Sequence, residues 1–334
     1  MNKTFIALAV AALASTSVSA AEIFNDGTSS MAIGGRAEAR ASIKDGDMND
    51  ASRVRINVLG TTQISEEAYG VGFFEREFTT SSKSSDVFNN DGVKIGTVSG
   101  EKNETRYVYA GIGTEYGLVT YGLNDGSLGM ITDFTDIMSY HGAAASAKID
   151  VADRTSNNIA YKGEFGGLTV KANYVGKNDD VEKGYSLGAV YAMENGLAMG
   201  LGYADQDTTN TLTESQIEAA VSYTMGDIYV AALYKDGEEK TSGAKTDLTG
   251  YELAAAYTMG QTKFTTTYGN AEGKLSGQKL KDENVESLAI DATHYFNSNF
   301  RTYVSYNFNL LNENEVKTKI DAEDELVFGL RYDF

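Results

Sequence analysis

The sequence predicts an all-β fold: a 16-stranded antiparallel transmembrane β-barrel with an inward-folded third loop. Apolar and polar side chains alternate along sixteen segments, and the chain ends on such a segment at residues 328–334. After the N-terminal region, no stretch stays apolar for the roughly 20 residues that a membrane-spanning helix requires. Strands inside a bilayer must pair along both edges, so alternating strands without apolar helices predict a closed barrel.

The first 20 residues have the pattern of a secretory signal. Lys3 gives a positive start, residues 5–14 are apolar, and Val18, Ser19 and Ala20 form a small-residue cleavage motif. We therefore expect two parts, a signal peptide at 1–20 and a single barrel domain at 21–334. For such an exported barrel, the expected location is the outer membrane of a Gram-negative bacterium, crossed many times by strands.

Composition excludes several classes of function. The net charge of −19 would become −20 once the signal with Lys3 is removed, which disfavours nucleic acid as a partner. Cysteine is absent, so disulfides and thiolate metal sites are impossible. Proline is also absent, as suits a sheet in which nearly every backbone N–H is paired. We expect no cofactor and no metal site.

The alternating segments define sixteen predicted strands. They are residues 31–44, 52–63, 69–80, 104–113, 116–123, 153–162, 167–175, 185–192, 197–204, 214–224, 228–235, 250–259, 262–270, 286–296, 300–310 and 324–334. Tight turns alternate with longer polar connections. The longer ones are 45–51, 81–103, 124–152, 176–184, 205–213, 236–249, 271–285 and 311–323. This alternation is typical of outer-membrane barrels, which have short periplasmic turns and long outer loops.

The charged residues of each strand share one face. Arg36, Glu38 and Arg40 share a face of the first strand, opposite small and apolar side chains. Arg53 and Arg55 do the same on the second strand. Because Arg or Lys facing lipid at the midplane costs about 2–4 kcal/mol, these faces are predicted to line a wet lumen. Sixteen strands leave room for an aqueous channel.

Arg76 departs from this pattern. If its neighbours Glu75 and Glu77 face the lumen, Arg76 points outward beside Phe74 and Phe78. A subunit interface and a position near the membrane rim both remain open for it.

Catalysis is not expected. The chain has two histidines, His141 and His294, and a serine hydrolase of the outer membrane would need one beside a serine on the outer wall. We interpret His294 as part of an interfacial aromatic girdle and His141 as a loop residue. The protein is therefore predicted not to be an enzyme.

The third long connection, 124–152, is unusually apolar for a loop. Its apolar residues are Leu128, Met130, Ile131, Phe134, Ile137, Met138 and Tyr140. A loop exposed to water would not carry so much apolar surface. Folding into the barrel would bury it against the wall and would place Asp133 and Asp136 in the pore.

Four segments carry a family resemblance. They are residues 34–40 (GGRAEAR), 133–136 (DFTD), 153–161 (DRTSNNIAY) and 330–334 (LRYDF). On these motifs, and over its whole length, the chain resembles the trimeric general porins of Gram-negative outer membranes, especially the OmpU-type porins. In that family the third loop sets an acidic edge against an arginine-rich wall.

The resemblance implies a set of constriction residues. The basic wall positions correspond to Arg36, Arg55, Arg106 and Arg154, joined on the same charged faces by Arg40 and Arg53. Asp136 matches an acidic position of the loop. A second acidic position of the family is occupied here by Tyr140, so that role is not transferred, and Asp133 is an alternative contributor.

The function expected from these features is passive diffusion. Opposed charges across a narrow wet gap orient water and dipolar solutes, so ions and small hydrophilic molecules would pass, with mild cation preference. The expected partners are those solutes, two further copies in a homotrimer, lipopolysaccharide, and the barrel-assembly machinery. The machinery would recognise the aromatic end at Tyr332 and Phe334.

A second class of function stays open at this stage. The long loops would also suit a surface adhesin or receptor barrel that binds host, phage or antibacterial ligands. Conductance in a planar bilayer separates the two classes, because a pure adhesin would show no current steps.

Overall fold

The computed structural model describes residues 20–80, 84–88, 94–99, 103–209, 212–241, 243–316 and 319–334. Sixteen long strands form one antiparallel barrel, in agreement with the prediction. They are Ser29–Lys44, Arg53–Gln63, Tyr69–Thr79, Asn103–Thr114, Gly117–Asp125, Arg154–Phe165, Leu168–Val175, Val181–Ala192, Leu197–Thr208, Thr213–Met225, Ile228–Lys240, Lys245–Met259, Thr262–Leu275, Gln278–Tyr295, Phe300–Asn309 and Glu325–Asp333. We refer to them as the first to the sixteenth strand.

The barrel closes between its first and last strands. The first strand pairs with the second from Ser29 to Glu38 and with the sixteenth from Arg36 to Lys44. The short strand Ala21–Asn25 pairs with the beginning of the first strand, where the sixteenth has already ended. Almost no edge of the first strand is therefore left without a partner, as a membrane span built from strands requires.

The two faces of each strand differ as the alternation predicted. On the twelfth strand Tyr251 and Leu253 are exposed on the outside, whereas Glu252 and Ala254 are buried. The outer face of the barrel is therefore apolar, and the inner face carries the charged side chains. Arg76 lies on the outer face, where it donates a hydrogen bond to Thr105 Oγ1 at 3.1 Å.

Several of the predicted loops are shorter than predicted, because strand pairing continues into them. The eleventh and twelfth strands pair out to Lys240 and Lys245, and the thirteenth and fourteenth pair out to Leu275 and Gln278. At 45–51 the short strand Asp47–Asp50 pairs back onto the first strand. These extensions carry few apolar residues, so hydrophobic alternation gave no signal for them.

Part of the chain falls outside the described residues. The predicted signal lies there except for Ala20, and so does much of the connection 81–103. The described parts of that connection, Ser84–Phe88 and Lys94–Ser99, form a two-stranded sheet. Within the described ranges, no helix is long and apolar enough to cross a membrane.

Candidate functional site

Six arginines on the inner face of the barrel form a basic surface, here called the arginine wall. Its members are Arg36, Arg40, Arg53, Arg55, Arg106 and Arg154. The first four lie on the first two strands, and the others lie on the fourth and sixth. All six side chains are only partly accessible and make ion pairs with glutamates.

Buried glutamates hold the arginine wall in place. Glu38 is 3% exposed and accepts a hydrogen bond from Arg53 Nε at 2.8 Å. It also lies 3.9 Å from both Arg36 Nε and Arg40 Nη1. Tyr303 donates its hydroxyl to the other oxygen of Glu38 at 2.8 Å. A buried carboxylate with this many partners fixes the guanidinium groups around it.

Two further glutamates act in the same way on neighbouring strands. Glu77 lies 2.5 Å from Arg55 Nε and 3.3 Å from Arg53 Nη1. Glu75 accepts a hydrogen bond from Arg106 Nε at 2.8 Å. With the Arg154–Glu104 pair included, six arginines face four glutamates, so the wall keeps a surplus of two positive charges.

A β-bulge turns Arg106 toward the lumen. Val108 and Ile112 on the same strand are exposed on the outer face, and strict alternation from them would place Arg106 outside as well. The pairing of the third and fourth strands shifts between Glu75 and Arg76, which adds one residue to the fourth strand. Arg106 therefore reaches Glu75 on the inner side.

The apolar residues of the third loop, which spans residues 126–153, pack on glycines of the barrel wall. Leu128 and Ile131 are completely buried, and Ile131 belongs to the short helix Gly129–Thr132. A Cβ atom added at Gly202 would overlap Leu128, and one at Gly200 would lie 3.0 Å from Ile131 Cδ1. The missing side chains of the ninth strand thus create the space that the loop occupies.

Polar side chains of the barrel wall hold the backbone of the loop. Glu252 accepts the Ala145 N–H at 2.7 Å and the Thr135 hydroxyl at 2.5 Å. Further contacts are Gln206 with Val151 N–H, Gln216 with Ile149 N–H and Ala147 carbonyl, Lys235 with Ala147 carbonyl, and Asn173 with Val151 carbonyl. These anchors were not identified from the sequence, because each joins residues at least 22 positions apart.

The distal part of the loop reaches the seam of the barrel. His141 makes hydrogen bonds through Nδ1 to Ser305 Oγ at 2.8 Å and through Nε2 to Glu325 at 3.3 Å. The Arg40 guanidinium lies 5.1 Å from the centre of the Tyr140 ring. Tyr140 is therefore in cation–π contact with the arginine wall.

Asp133 and Asp136 lie on the exposed side of the loop. Among the described residues, neither carboxylate is within ion-pair distance of a basic group, and both are accessible. Enclosure by the surrounding barrel, and secondly the charge of Asp136, raise the pKa of Asp133 to about 6. Enclosure also raises the pKa of Asp136.

A cavity separates these aspartates from part of the arginine wall. It measures about 460 Å³ and is lined by Asp133 and Asp136 on the loop and by Arg106 and Arg154 on the wall. Lys171 also lines it, a basic residue that the sequence analysis missed. Tyr174 on the same strand points outward. Because side chains alternate between the two faces of a strand, Lys171, three positions earlier, is expected to point inward. The other four arginines lie outside this cavity.

The C-terminal aromatic residues lie at the seam. Phe334 exchanges two backbone hydrogen bonds with Gly35, at 2.8 and 3.0 Å. The rings of Tyr332 and Phe334 stack at 6.2 Å between centres. A side chain at Gly35 would press on the Phe334 ring, so glycine permits this close approach.

A closed barrel with an apolar outer band, a charged interior and an open cavity defines a membrane channel of the β-barrel class. The model of the Gram-negative porin family matches residues 7–314, and the chain belongs to that family.

Relatives agree over the full length. The chain is 49% identical to outer membrane protein U of Vibrio parahaemolyticus and 48% identical to porin-like protein L of Photobacterium profundum, each covering 100% of both chains. Among solved structures it is similar to Salmonella typhi OmpF in complex with daunomycin, with a TM-score of 0.77, 23% identity, and coverage of 94% of this chain and 100% of the other.

These findings confirm that the protein is a porin of the Gram-negative outer membrane. Its family and relatives are channels and not enzymes. A trimer form has been solved for OmpT of Vibrio cholerae, which covers 92% of this chain at 17% identity and a TM-score of 0.73, with 100% of that chain covered.

Proposed function

We propose that the protein is a general diffusion porin whose constriction lies between the third loop and the arginine wall. The observation that carries this proposal is the charge arrangement across the cavity. Accessible carboxylates of Asp133 and Asp136 lie on one side, and the guanidinium groups of Arg106 and Arg154 lie on the other. Such opposed charges make a transverse field that favours small hydrophilic solutes over apolar ones.

We expect mild cation preference, because the positive charges of the arginine wall are paired with glutamates and the aspartates of the third loop are not. Three of the wall's glutamates are buried beside its arginines and cancel much of their charge. Asp133 and Asp136, in contrast, have no such partner among the described residues. The whole chain is strongly acidic, at −19, and this raises the concentration of cations near both mouths.

Reversal potentials in a salt gradient test the proposal. The wild-type channel should show a mild excess of cation over anion permeability, and Asp136→Asn should reduce it. Asp227→Asn is the matched control, because Asp227 is exposed in the turn between the tenth and eleventh strands. Clear anion selectivity of the wild type would refute the cation preference. Equal effects of the two variants would place Asp136 outside the constriction.

The working assembly is proposed to be a homotrimer. The small outward residues Ala37 and Ala39 line an outer groove of about 460 Å³ between Phe78 and Tyr332, into which a neighbouring barrel would pack. Closure of the current in three equal steps would support a trimer, and single steps of full amplitude would refute it.

Three further expectations belong to the same proposal. Residues 1–20 would be removed during export, which the mass of the mature protein tests. Tyr332 and Phe334 would be recognised by the barrel-assembly machinery. Lipopolysaccharide would surround the outer half of the barrel, and its absence from purified trimers would count against that contact.

A further inference from the structure

The outer face of the barrel carries a second apolar groove, apart from the one lined by Ala37 and Ala39. It measures about 570 Å³, within the roughly 300–1,000 Å³ of typical ligand pockets, and it crosses the eleventh to fifteenth strands. Its floor is made by Ala255, Thr266 and Ala292, on the twelfth to fourteenth strands. In a trimer joined through the first groove, this second floor would still face lipid.

The groove is a depression between small and large outward side chains. Ala255 pairs with Thr266, and the next outward pair on the same two strands is Tyr257 with Phe264. On the following strand Thr266 pairs with Ile290. Tyr257, Phe264 and Ile290 are all exposed and form the rim. A small pair beside these large residues leaves space that another molecule can fill.

The groove offers contact surface but no free polar group. The Thr266 hydroxyl already donates to the carbonyl oxygen of Ala289 at 3.0 Å. Asp291 also lines the groove, but its side chain is on the inner face, where Thr293 donates a hydrogen bond to it at 2.8 Å. A surface of this kind favours an apolar occupant, which it binds through dispersion contacts.

The groove lies in the periplasmic half of the membrane-spanning band. Ile228 at its edge is the first residue of the eleventh strand, directly after the turn residue Asp227. Tyr257 is two residues before the end of the twelfth strand, and Phe264 is two residues after the start of the thirteenth. Short turns of such barrels are periplasmic, and the periplasmic leaflet of the outer membrane consists of phospholipid.

A hydrogen-bonding group lies at the periplasmic end of the groove. His294 is two residues beyond Ala292 on the same face of the fourteenth strand, about 7 Å closer to the periplasm. Its Nδ1 lies 2.9 Å from Thr262 Oγ1. When Thr262 donates this hydrogen bond, the ring proton is on Nε2, which has no protein partner among the described residues. That N–H can donate to a phosphate oxygen.

We propose that the groove binds one phospholipid of the periplasmic leaflet. An acyl chain would lie over Ala255, Thr266 and Ala292, and the phosphate would accept a hydrogen bond from His294. Lipid tails elsewhere are equally apolar, so the preference for this place comes from packing contacts that an empty groove would lack. The site requires the outer membrane but not the channel.

Native mass spectrometry of the mature protein, in detergent and after removal of bound lipid, tests the proposal. Phosphatidylethanolamine is titrated and compared with a diacylglycerol that has the same chains and no phosphate. The first phosphatidylethanolamine should bind saturably, one per barrel. Diacylglycerol should need a concentration about twofold to tenfold higher, which is the scale of one hydrogen bond.

Three variants locate the site. Ala292→Phe should weaken the binding of the first lipid at least about threefold, because its ring occupies the space of the acyl chain and removes many dispersion contacts. Ala219→Phe is the matched control, because Ala219 is an exposed small residue of the tenth strand that does not line the groove. His294→Ala should give phosphatidylethanolamine the affinity of diacylglycerol. Unchanged conductance verifies that each variant folds.

Four results would overturn the proposal. The first is a continuous distribution of bound lipids with no distinct first site, which the wild type alone reveals. The second is equal weakening by Ala292→Phe and Ala219→Phe. The third is tighter binding of lipid A than of phosphatidylethanolamine, which would assign the groove to the outer leaflet. The fourth is an assembly larger than a trimer that Ala292→Phe abolishes, because a second copy of the protein would then fill the groove.

Discussion

Glu252 is one of the buried side chains that attach the third loop to the barrel wall. It is 3% exposed and accepts two hydrogen bonds from the loop, one from Ala145 N–H and one from the Thr135 hydroxyl. Glu252→Ala removes both and leaves the two donors without these partners. Because hydrogen bonds to a charged group contribute about 1.5–3 kcal/mol each, we expect the loop to lose at least about 3 kcal/mol of attachment.

That loss predicts a large change in loop dynamics. Every 1.4 kcal/mol corresponds to a factor of ten, so the detached state of this part of the loop should become about a hundredfold more populated. Single-channel recordings should then show larger current noise, and larger polyethylene glycols should enter the pore. The barrel itself should still fold, which resistance to unfolding in cold detergent verifies.

Glu252→Gln is the matched control for charge. It also removes the negative charge, but its amide oxygen can still accept the Ala145 N–H. Its noise should therefore lie between wild type and Glu252→Ala. If both variants change the current equally, loss of charge and not detachment explains the effect. Wild-type noise and wild-type polymer exclusion in Glu252→Ala would show that Glu252 does not hold the third loop in place.

Three further predictions concern pH, the distal loop and assembly. Lowering the pH through about 6 should reduce cation preference, because Asp133 then takes up a proton and loses its charge; reversal potentials measure this. His141→Ala removes the contacts to Ser305 and Glu325, so the distal loop should fluctuate more and current noise should rise. Deletion of Phe334 removes two backbone hydrogen bonds at the seam and should lower the yield of folded protein in the outer membrane without changing the conductance of what is assembled.

Each of these predictions has a control and a contradicting result. Asp133→Asn should flatten the pH dependence, and an unchanged pH profile in that variant would contradict the assignment. His294→Ala, which removes contacts with Thr262 and with the Phe296 ring at the other end of the barrel, should leave noise unaltered. Phe296→Ala removes an exposed aromatic elsewhere, so a normal yield after Phe334 deletion, equal to that of Phe296→Ala, would argue against a seam or assembly role.

The membrane-crossing part of each strand was predictable because lipid on one side and water on the other impose a strict alternation. Outside the bilayer both faces of a strand meet water, so alternation no longer indicates where the strand ends. The fourteenth strand begins at Gln278, eight residues before its predicted start at 286, because its polar extension pairs with the thirteenth strand without an apolar face. The alternation of Tyr251 and Glu252, inside the bilayer, was predicted correctly.

The arginines of the site were predictable as inward charges, but their supports were not. Alternation alone predicts that Arg36 and Arg53 point inward. Arg106 points inward because of a β-bulge, which no local feature of the sequence indicates. The apolar content of 124–152 indicated a buried loop. Its partner surface, made by Gly200 and Gly202 and by side chains such as Glu252, depends on contacts between strands far apart in sequence.

We propose that Asp136 lies in the narrow part of the conducting path. The natural chain has no cysteine, so Asp136→Cys creates a single reactive thiol. A bulky, positively charged methanethiosulfonate added during recording should then lower the conductance in discrete steps. The same reagent should have no effect on Leu253→Cys, because Leu253 is exposed on the outer face. Full conductance after complete modification of Asp136→Cys would place residue 136 outside the narrow part of the pore.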